Sequence, residues 1–95
     1  MKCQEIIFSG HAVQRMFQRE ISTPDVMAVI EQGEIIADYP DDCPFPSYLL
    51  LHRVHNRPIH VVVAVNYENR QCYIITAYIP DSKQWDTDFK TRRKP

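Results

Sequence analysis

The chain has 95 residues, of which 44% are hydrophobic and 24% charged, and its formal net charge is −1. This length suits a single domain over residues 1–95, and the composition is typical of a soluble globular protein rather than a disordered one. No apolar run approaches the roughly 18 residues that a membrane-spanning helix needs, and the N-terminus lacks the apolar core of a signal peptide. We therefore expect a cytoplasmic protein without a membrane anchor.

The first half of the chain predicts one strand followed by two helices. The apolar run Glu5–Phe8 is a short strand, and Ser9 is a plausible N-cap for a helix over residues 10–19. A second helix is expected to start at a Thr23 cap and to end at Gly33, which suits the left-handed conformation at a helix C-terminus.

Four strands are expected in the rest of the chain. The first covers residues 34–39, and the proline-rich stretch 40–46 after it is a loop. The segments Tyr48–Val54, Ile59–Val65 and Cys72–Ile79 are rich in β-branched and aromatic residues and are joined by short turns. They therefore predict antiparallel hairpins.

The end of the chain allows two interpretations. Trp85 and Phe89 are four residues apart, as on one side of a short C-terminal helix, but a draped tail fits this spacing equally well. Residues 90–95 form a basic tail with four of the 11 lysines and arginines. This tail can meet an acidic partner, or it can simply be solvated.

These elements together predict an α+β fold. It consists of a short N-terminal strand and two helices packed on one face of a four-stranded, mostly antiparallel sheet. Cys3, Cys43 and Cys72 are expected to be reduced, since three cysteines leave at least one out of a disulfide framework. None forms a Cys-x-x-Cys pair, which argues against a structural zinc site. Neither a metal nor a cofactor is expected.

The first predicted helix carries a row of nitrogen-containing side chains. His11, Arg15 and Arg19 are four residues apart and therefore lie along one side of it. Arginines without acidic neighbours on the helix suit a phosphate or a carboxylate. A solvated helix face explains the same pattern.

Two of the predicted strands add polar groups. Alternation places His60 on the sheet face opposite the apolar residues that the helices cover, although a lone histidine in a central strand is more often buried against a partner. Alternation also places Thr76 and Tyr78 on one side of the last strand, together with Cys72 and Ile74. Threonine and tyrosine are also simply good strand formers.

These residue types match the needs of RNA cleavage without a metal, which requires a base, an acid and cations around the phosphate. The predicted catalytic residues are His11, His60, Arg15 and Tyr78, and the predicted substrate-binding residues are Arg19, Thr76 and Arg53. The resulting hypothesis is a metal-independent endoribonuclease.

Two other interpretations remain open. The apolar stretch Tyr48–Leu51 also fits a non-catalytic module that binds another protein. His52 and His55 suggest a metal site, but a three-residue offset on a strand points their side chains to opposite faces.

Several segments resemble the DUF4258 family in order and spacing over nearly the whole chain. They are Phe8–Ala12 with Arg15, Met16 and Arg19, then Val29–Ile36, Arg57–Val62, Thr76–Tyr78, and Pro80 and Asp81 with Trp85. The resemblance implies a relationship to the RelE-like and Barnase–EndoU–colicin-like RNA-cleaving folds. It also implies that the protein is the toxin of a toxin–antitoxin pair. Its partners would be RNA, either free or on ribosomes, and a cognate antitoxin. Some members of the family occur beside a gene for an antitoxin of zinc-finger type. Carried over by position, the site is His11, Arg15, Arg19, His60, Thr76 and Tyr78.

Overall fold

Seven elements of secondary structure are present in residues 1–94, the part of the chain that this computed structural model describes. In chain order they are β1 (Glu5–Phe8), α1 (Gly10–Gln18), α2 (Thr23–Gln32), β2 (Glu34–Tyr39), β3 (Ser47–Val54), β4 (Arg57–Asn66) and β5 (Gln71–Tyr78). No helix within residues 1–94 has the length and apolar character needed to cross a membrane.

Both helices begin at serine caps. Ser9 accepts a hydrogen bond from the backbone of the first turn of α1, as its sequence position predicts. Ser22, rather than the predicted Thr23, caps α2, because it exchanges side-chain and backbone hydrogen bonds with Asp25 in a capping box. These bonds hold the pKa of the Asp25 carboxyl below its usual value, the backbone bond contributing most.

Gly33 ends α2 for a reason other than the predicted one. Its φ is −71°, so it does not use the left-handed conformation that glycine favours. A side chain at this position would instead meet the backbone, since an added Cβ lies 2.3 Å from the Val29 carbonyl oxygen. The last turn of α2 therefore requires glycine here, and the Leu51 carbonyl oxygen of β3, 3.1 Å from the added Cβ, adds a second, weaker restriction.

The sheet has five strands in the order β1-β5-β4-β3-β2, which corrects the predicted four-stranded, mostly antiparallel sheet. β1 is an edge strand parallel to β5, and the other neighbours are antiparallel. The sequence did not reveal this pairing because no short turn joins β1 to β5. Parallel neighbours need a long connection, and here it comprises most of the chain.

A β-bulge changes which residues of β5 share a face. Val62 pairs with Thr76 and Val63 with Ile74, so Ile75 is an extra residue in the ladder. Thr76 and Tyr78 therefore do not share a face with Ile74, contrary to the simple alternation predicted from the sequence. They lie on the sheet face that points away from the helices.

The core forms between the two helices and the other sheet face. It comprises Ala12, Met16, Val26, Val29 and Ile30 of the helices and Leu50, Ile59, Val61, Val63, Val65, Ile74 and Ala77 of the strands. Burial of such side chains stabilises a fold by about 1.5–3 kcal/mol each. Because the core occupies the sheet face toward the helices, the opposite face is the one left for polar side chains in the middle of the strands.

The expectation of three reduced cysteines is wrong for two of them. Cys3 and Cys72 form a disulfide, with Cα atoms 5.8 Å apart, and Cys43 is free and exposed. The bond lies where the N-terminus enters β1, next to β5. It was unpredictable without the β1–β5 pairing.

The C-terminal segment, residues 80–94, contains no helix, so the suggested short C-terminal helix is not formed there. The segment folds back on the domain as an irregular loop, with an isolated bridge between Trp85 and Arg92. Lys90 of the basic tail pairs with Glu34 at 2.8 Å, and Arg93 donates to the Ser82 carbonyl. We call this element the C-terminal segment below.

Candidate functional site

His60 lies at the centre of the sheet face that points away from the helices, where its strand position predicts it. The side chain is nevertheless fully buried, because the C-terminal segment covers this part of the face. The imidazole Nε2 lies 2.7 Å from the Phe89 carbonyl oxygen, and the Trp85 ring packs edge-on with centroids 4.6 Å apart. Of the two interpretations of His60, the structure shows the histidine buried against a partner.

Hydrogen bonding fixes the tautomer of His60. A carbonyl oxygen can only accept, so Nε2 carries the proton and donates to Phe89. Nδ1 is then an acceptor, and the Tyr78 hydroxyl, 3.2 Å away, donates to it. His60 and Tyr78 thus form a neutral pair across β4 and β5, where the ladder also pairs them.

Burial shifts the pKa values of both members of this pair. Loss of solvent lowers the pKa of His60, the Phe89 carbonyl opposes this shift, and the positive charge of Arg92 adds to it. Burial raises the pKa of Tyr78, with a smaller opposite effect from the nearby Arg92 and Arg19. Both groups are therefore uncharged near neutral pH.

Arg19 and Thr76 form the second polar contact of this region. The Arg19 guanidinium donates to the Ala77 carbonyl at 2.9 Å and to the Thr76 hydroxyl at 3.3 Å. This is possible because α1 lies alongside β5 beyond the end of β1, where the strand edge has no partner. Arg19 thereby satisfies the free edge and lies near Tyr78.

His11 and Arg15 continue the row from Arg19 along α1, and both are exposed. Four residues advance a helix by about 6 Å, so the row spans about 12 Å from His11 to Arg19. His11 lines a cavity together with Ile74 and Ile75, which places it beside an earlier part of β5 than Tyr78.

The two histidines consequently do not meet. Three residues of a strand separate Ile75, next to His11, from Tyr78, next to His60, which amounts to about 10 Å. The structure therefore brings together His60 with Tyr78, and Arg19 with Thr76, on one side of the sheet. His11 and Arg15 extend this group along the helix.

Arg53 is separate from both contacts. Its guanidinium lies over the Phe89 ring, 5.4 Å from the ring centroid, and so holds the C-terminal segment against β3. His52 is near the end of β3 and His55 lies in the following turn. Within residues 1–94, no three His, Cys, Asp or Glu side chains are arranged to hold a metal ion.

Sequence reasoning did not identify the aromatic residues that shape this face. Trp85 packs against the His60 ring, the Phe89 carbonyl bonds to it, and Phe45 of the proline-rich loop stacks on Tyr73 of β5. The four-residue spacing of Trp85 and Phe89 was the available signal, but it suggested a helix. No local pattern links Phe45 to Tyr73.

The fold and these contacts define a small α+β protein whose mixed sheet carries a His–Tyr pair on the face away from its helices and an Arg–Thr contact at the free edge of β5. Residues 8–79 match the family described as a domain of unknown function (DUF4258), and the chain belongs to this family. Neither a curated protein nor a solved structure matches the chain. The matched residues include both pairs and the α1 row, whereas the C-terminal segment lies beyond them.

Proposed function

We propose that this protein is a metal-independent endoribonuclease, the toxin of a toxin–antitoxin pair acting on cytoplasmic RNA. The observation that carries the proposal is the contact of Arg19 with Thr76 beside Tyr78, whose hydroxyl is bonded to His60. A cation, two hydroxyls and an imidazole thus border one sheet face. A RelE-like ancestry is part of the proposal and rests on sequence resemblance alone.

The reaction assigned to this surface is an internal transesterification. The 2′-oxygen loses its proton to a base and attacks phosphorus, the P–O5′ bond breaks, and an acid protonates the leaving 5′-oxygen. The products are a 2′,3′-cyclic phosphate and a 5′-hydroxyl. Two proton transfers and a cation for the phosphorane are needed, and no metal is required.

Residue roles follow from position along the α1 row. A phosphate at Arg15 would have His11 about 6 Å away on one side and Arg19 the same distance away on the other. His11 is then the base, because both ring nitrogens of His60 are occupied. Tyr78 is the acid, since its raised pKa keeps its proton in place, and the charge of Arg19 stabilises the phenolate that remains.

His60 acts through Tyr78 in this scheme and is a positioning residue. Its Nδ1 holds the Tyr78 hydroxyl in place, and its own orientation is fixed by Phe89. Thr76 and Arg19 orient the substrate phosphate. Arg53 has an indirect part in substrate binding, through the C-terminal segment that it holds.

The test is cleavage of an end-labelled RNA oligonucleotide in excess EDTA, with and without translating ribosomes. Tyr78→Phe removes only the hydroxyl, so we expect cleavage to slow by about 100-fold or more. Tyr67→Phe is the matched control, because Tyr67 is an exposed tyrosine at the β4–β5 turn that bonds to Tyr48 instead. Absence of cleavage by the wild type in every condition, or full activity of Tyr78→Phe, contradicts the proposal.

A protein-binding module is the second candidate, and a different surface favours it. The segment Tyr48–Leu51, which the sequence suggested as the binding surface, is not available to a partner, since Leu49 and Leu50 are buried. Phe17 of α1, however, is 85% exposed, next to the half-exposed Val13. This side of α1 is the place where a cognate antitoxin would bind, away from the His11 row.

Co-expression separates the two candidates. If Phe17→Ser abolishes growth rescue by a co-expressed cognate antitoxin while RNA cleavage persists, Phe17 belongs to an antitoxin interface of a nuclease. If the wild type never cleaves RNA and Phe17→Ser removes the effect of the protein on cell growth, the protein is a binding module and not a nuclease.

A further inference from the structure

A cavity of about 510 Å³ lies next to the start of α1, beside the proposed cleavage site. Ile7, Phe45, Ala64, Tyr73 and Ile75 form apolar walls, and His11 stands at its edge. This volume is within the usual range of sites for small molecules, which are mostly apolar with a few polar groups. The walls come from β1, the proline-rich loop, β4 and β5.

Two of the residues that line this cavity, Phe45 and Tyr73, are stacked aromatics. The rings of Phe45 and Tyr73 are nearly parallel, with an interplanar angle of 8° and centroids 5.5 Å apart. Tyr73 is held in this orientation because its hydroxyl donates to the Gln71 side chain at 2.7 Å. A planar ring entering the cavity can extend this stack.

Charge around the cavity favours an occupant with an anionic group. Among the described residues, no Asp or Glu lines it. Arg15 and Arg19 follow His11 along the row. The nearer of these two cations, Arg15, is therefore about 6 Å from His11 along the helix axis. The matching ligand combines a flat ring with a phosphate a few ångströms away, which is the chemistry of a nucleotide.

We propose that this cavity binds the base of the nucleotide on the 5′ side of the cleaved phosphate, an inference that rests on the proposed function. That nucleotide supplies the attacking 2′-hydroxyl, which must lie near His11. Its base then reaches the Phe45–Tyr73 stack while its 3′-phosphate faces Arg15. The cavity would thereby set which base precedes the cut.

The test measures binding separately from cleavage. Amide chemical shifts of the ¹⁵N-labelled protein are followed during titration with adenosine 3′-monophosphate, with the other three nucleoside 3′-monophosphates, and with inorganic phosphate. We expect shifts around Phe45, Tyr73 and Ile75 with nucleotides, and none there with inorganic phosphate.

Two matched variants locate the site. Ile75→Glu places a carboxylate at the cavity wall, where the side chain is 47% exposed, and we expect it to weaken nucleotide binding tenfold or more. Ile79→Glu makes the same change at a 39% exposed position outside the cavity and should bind as the wild type does. Equal binding by both variants overturns the inference.

Other outcomes separate this inference from the proposed function. If RNA is cleaved and Ile75→Glu leaves both the cleavage rate and the base preference unchanged, the proposed nuclease activity is supported and the proposed base-binding cavity is contradicted. If nucleotides bind at the cavity but no RNA is cleaved, the binding site stands and the nuclease falls. Concentration-dependent shifts without nucleotide would show that a second copy occupies the cavity, which also overturns the inference.

Discussion

Acidification should destabilise this protein through His60. The imidazole is fully buried, with its Nε2 proton donated to Phe89 and its Nδ1 occupied by Tyr78. Its pKa is lowered from the usual 6.5, mainly by burial. Below pH 6.5 the unfolded chain therefore binds a proton that the folded chain resists, and stability falls as pH decreases toward the folded pKa.

The magnitude follows from one proton. Each pKa unit corresponds to about 1.4 kcal/mol, so a folded imidazole that stays neutral costs the fold up to about 1.4 kcal/mol at pH 5.5 and about 2 kcal/mol at pH 5. This loss is large against a total of about 5–14 kcal/mol for a domain of this size. Asp25 does not contribute to the pH dependence in this range. Its pKa is lowered from the usual 3.8, so its effect on stability changes only below about pH 3.8.

Urea unfolding between pH 5 and pH 8 measures the effect. Trp85, the only tryptophan, lies against the His60 ring, so its fluorescence reports both unfolding and the local contact. His60→Gln removes the titration and should flatten the pH dependence by the amounts above. His11→Gln, the same change at an exposed histidine, should retain it. Parallel curves for the wild type and His60→Gln would refute the reasoning.

Three further changes test the fold. Gly33→Ala should cost about 1–3 kcal/mol in chemical unfolding, since the new Cβ meets the Val29 carbonyl oxygen, and an unchanged midpoint would contradict this. Cys3→Ser with Cys72→Ser opens a loop with a sequence separation of 69 and should lower stability by up to about 4 kcal/mol, measured against the wild type with and without reductant. Ser22→Ala removes the cap of α2 and should cost about 1 kcal/mol in thermal unfolding, with Thr23→Ala as a nearly neutral control.

The sequence allowed prediction of those elements whose signals are local. The Ser9 cap and the short β3–β4 turn are set by neighbouring residues, and they occur close to where they were expected. The parallel pairing of β1 with β5 was missed because it joins residues far apart in the chain. The Cys3–Cys72 disulfide was missed for the same reason.

In the candidate site, too, features set by neighbouring residues could be predicted and features set by distant residues could not. The four-residue spacing of His11 and Arg15 lies within α1 as expected, and Arg19 is the C-cap of that helix. The face of Thr76 relative to Ile74 was misjudged, because a single extra residue in β5 reverses the alternation. A histidine in a central strand is more often buried against a partner, as His60 is, but Phe89 and Trp85 could not be named as its partners, because they lie in an irregular stretch with no periodic pattern.

The position of β1 has a consequence for folding during synthesis. Glu5 pairs with Gln71 and Phe8 with Ile74, so β1 leaves the ribosome well before β5 and has no partner until β5 follows. Contacts of such long separation form slowly, and an unpaired strand edge is open to wrong associations meanwhile. The nascent chain can form its helices early, but it can complete this sheet only when β5 has been made.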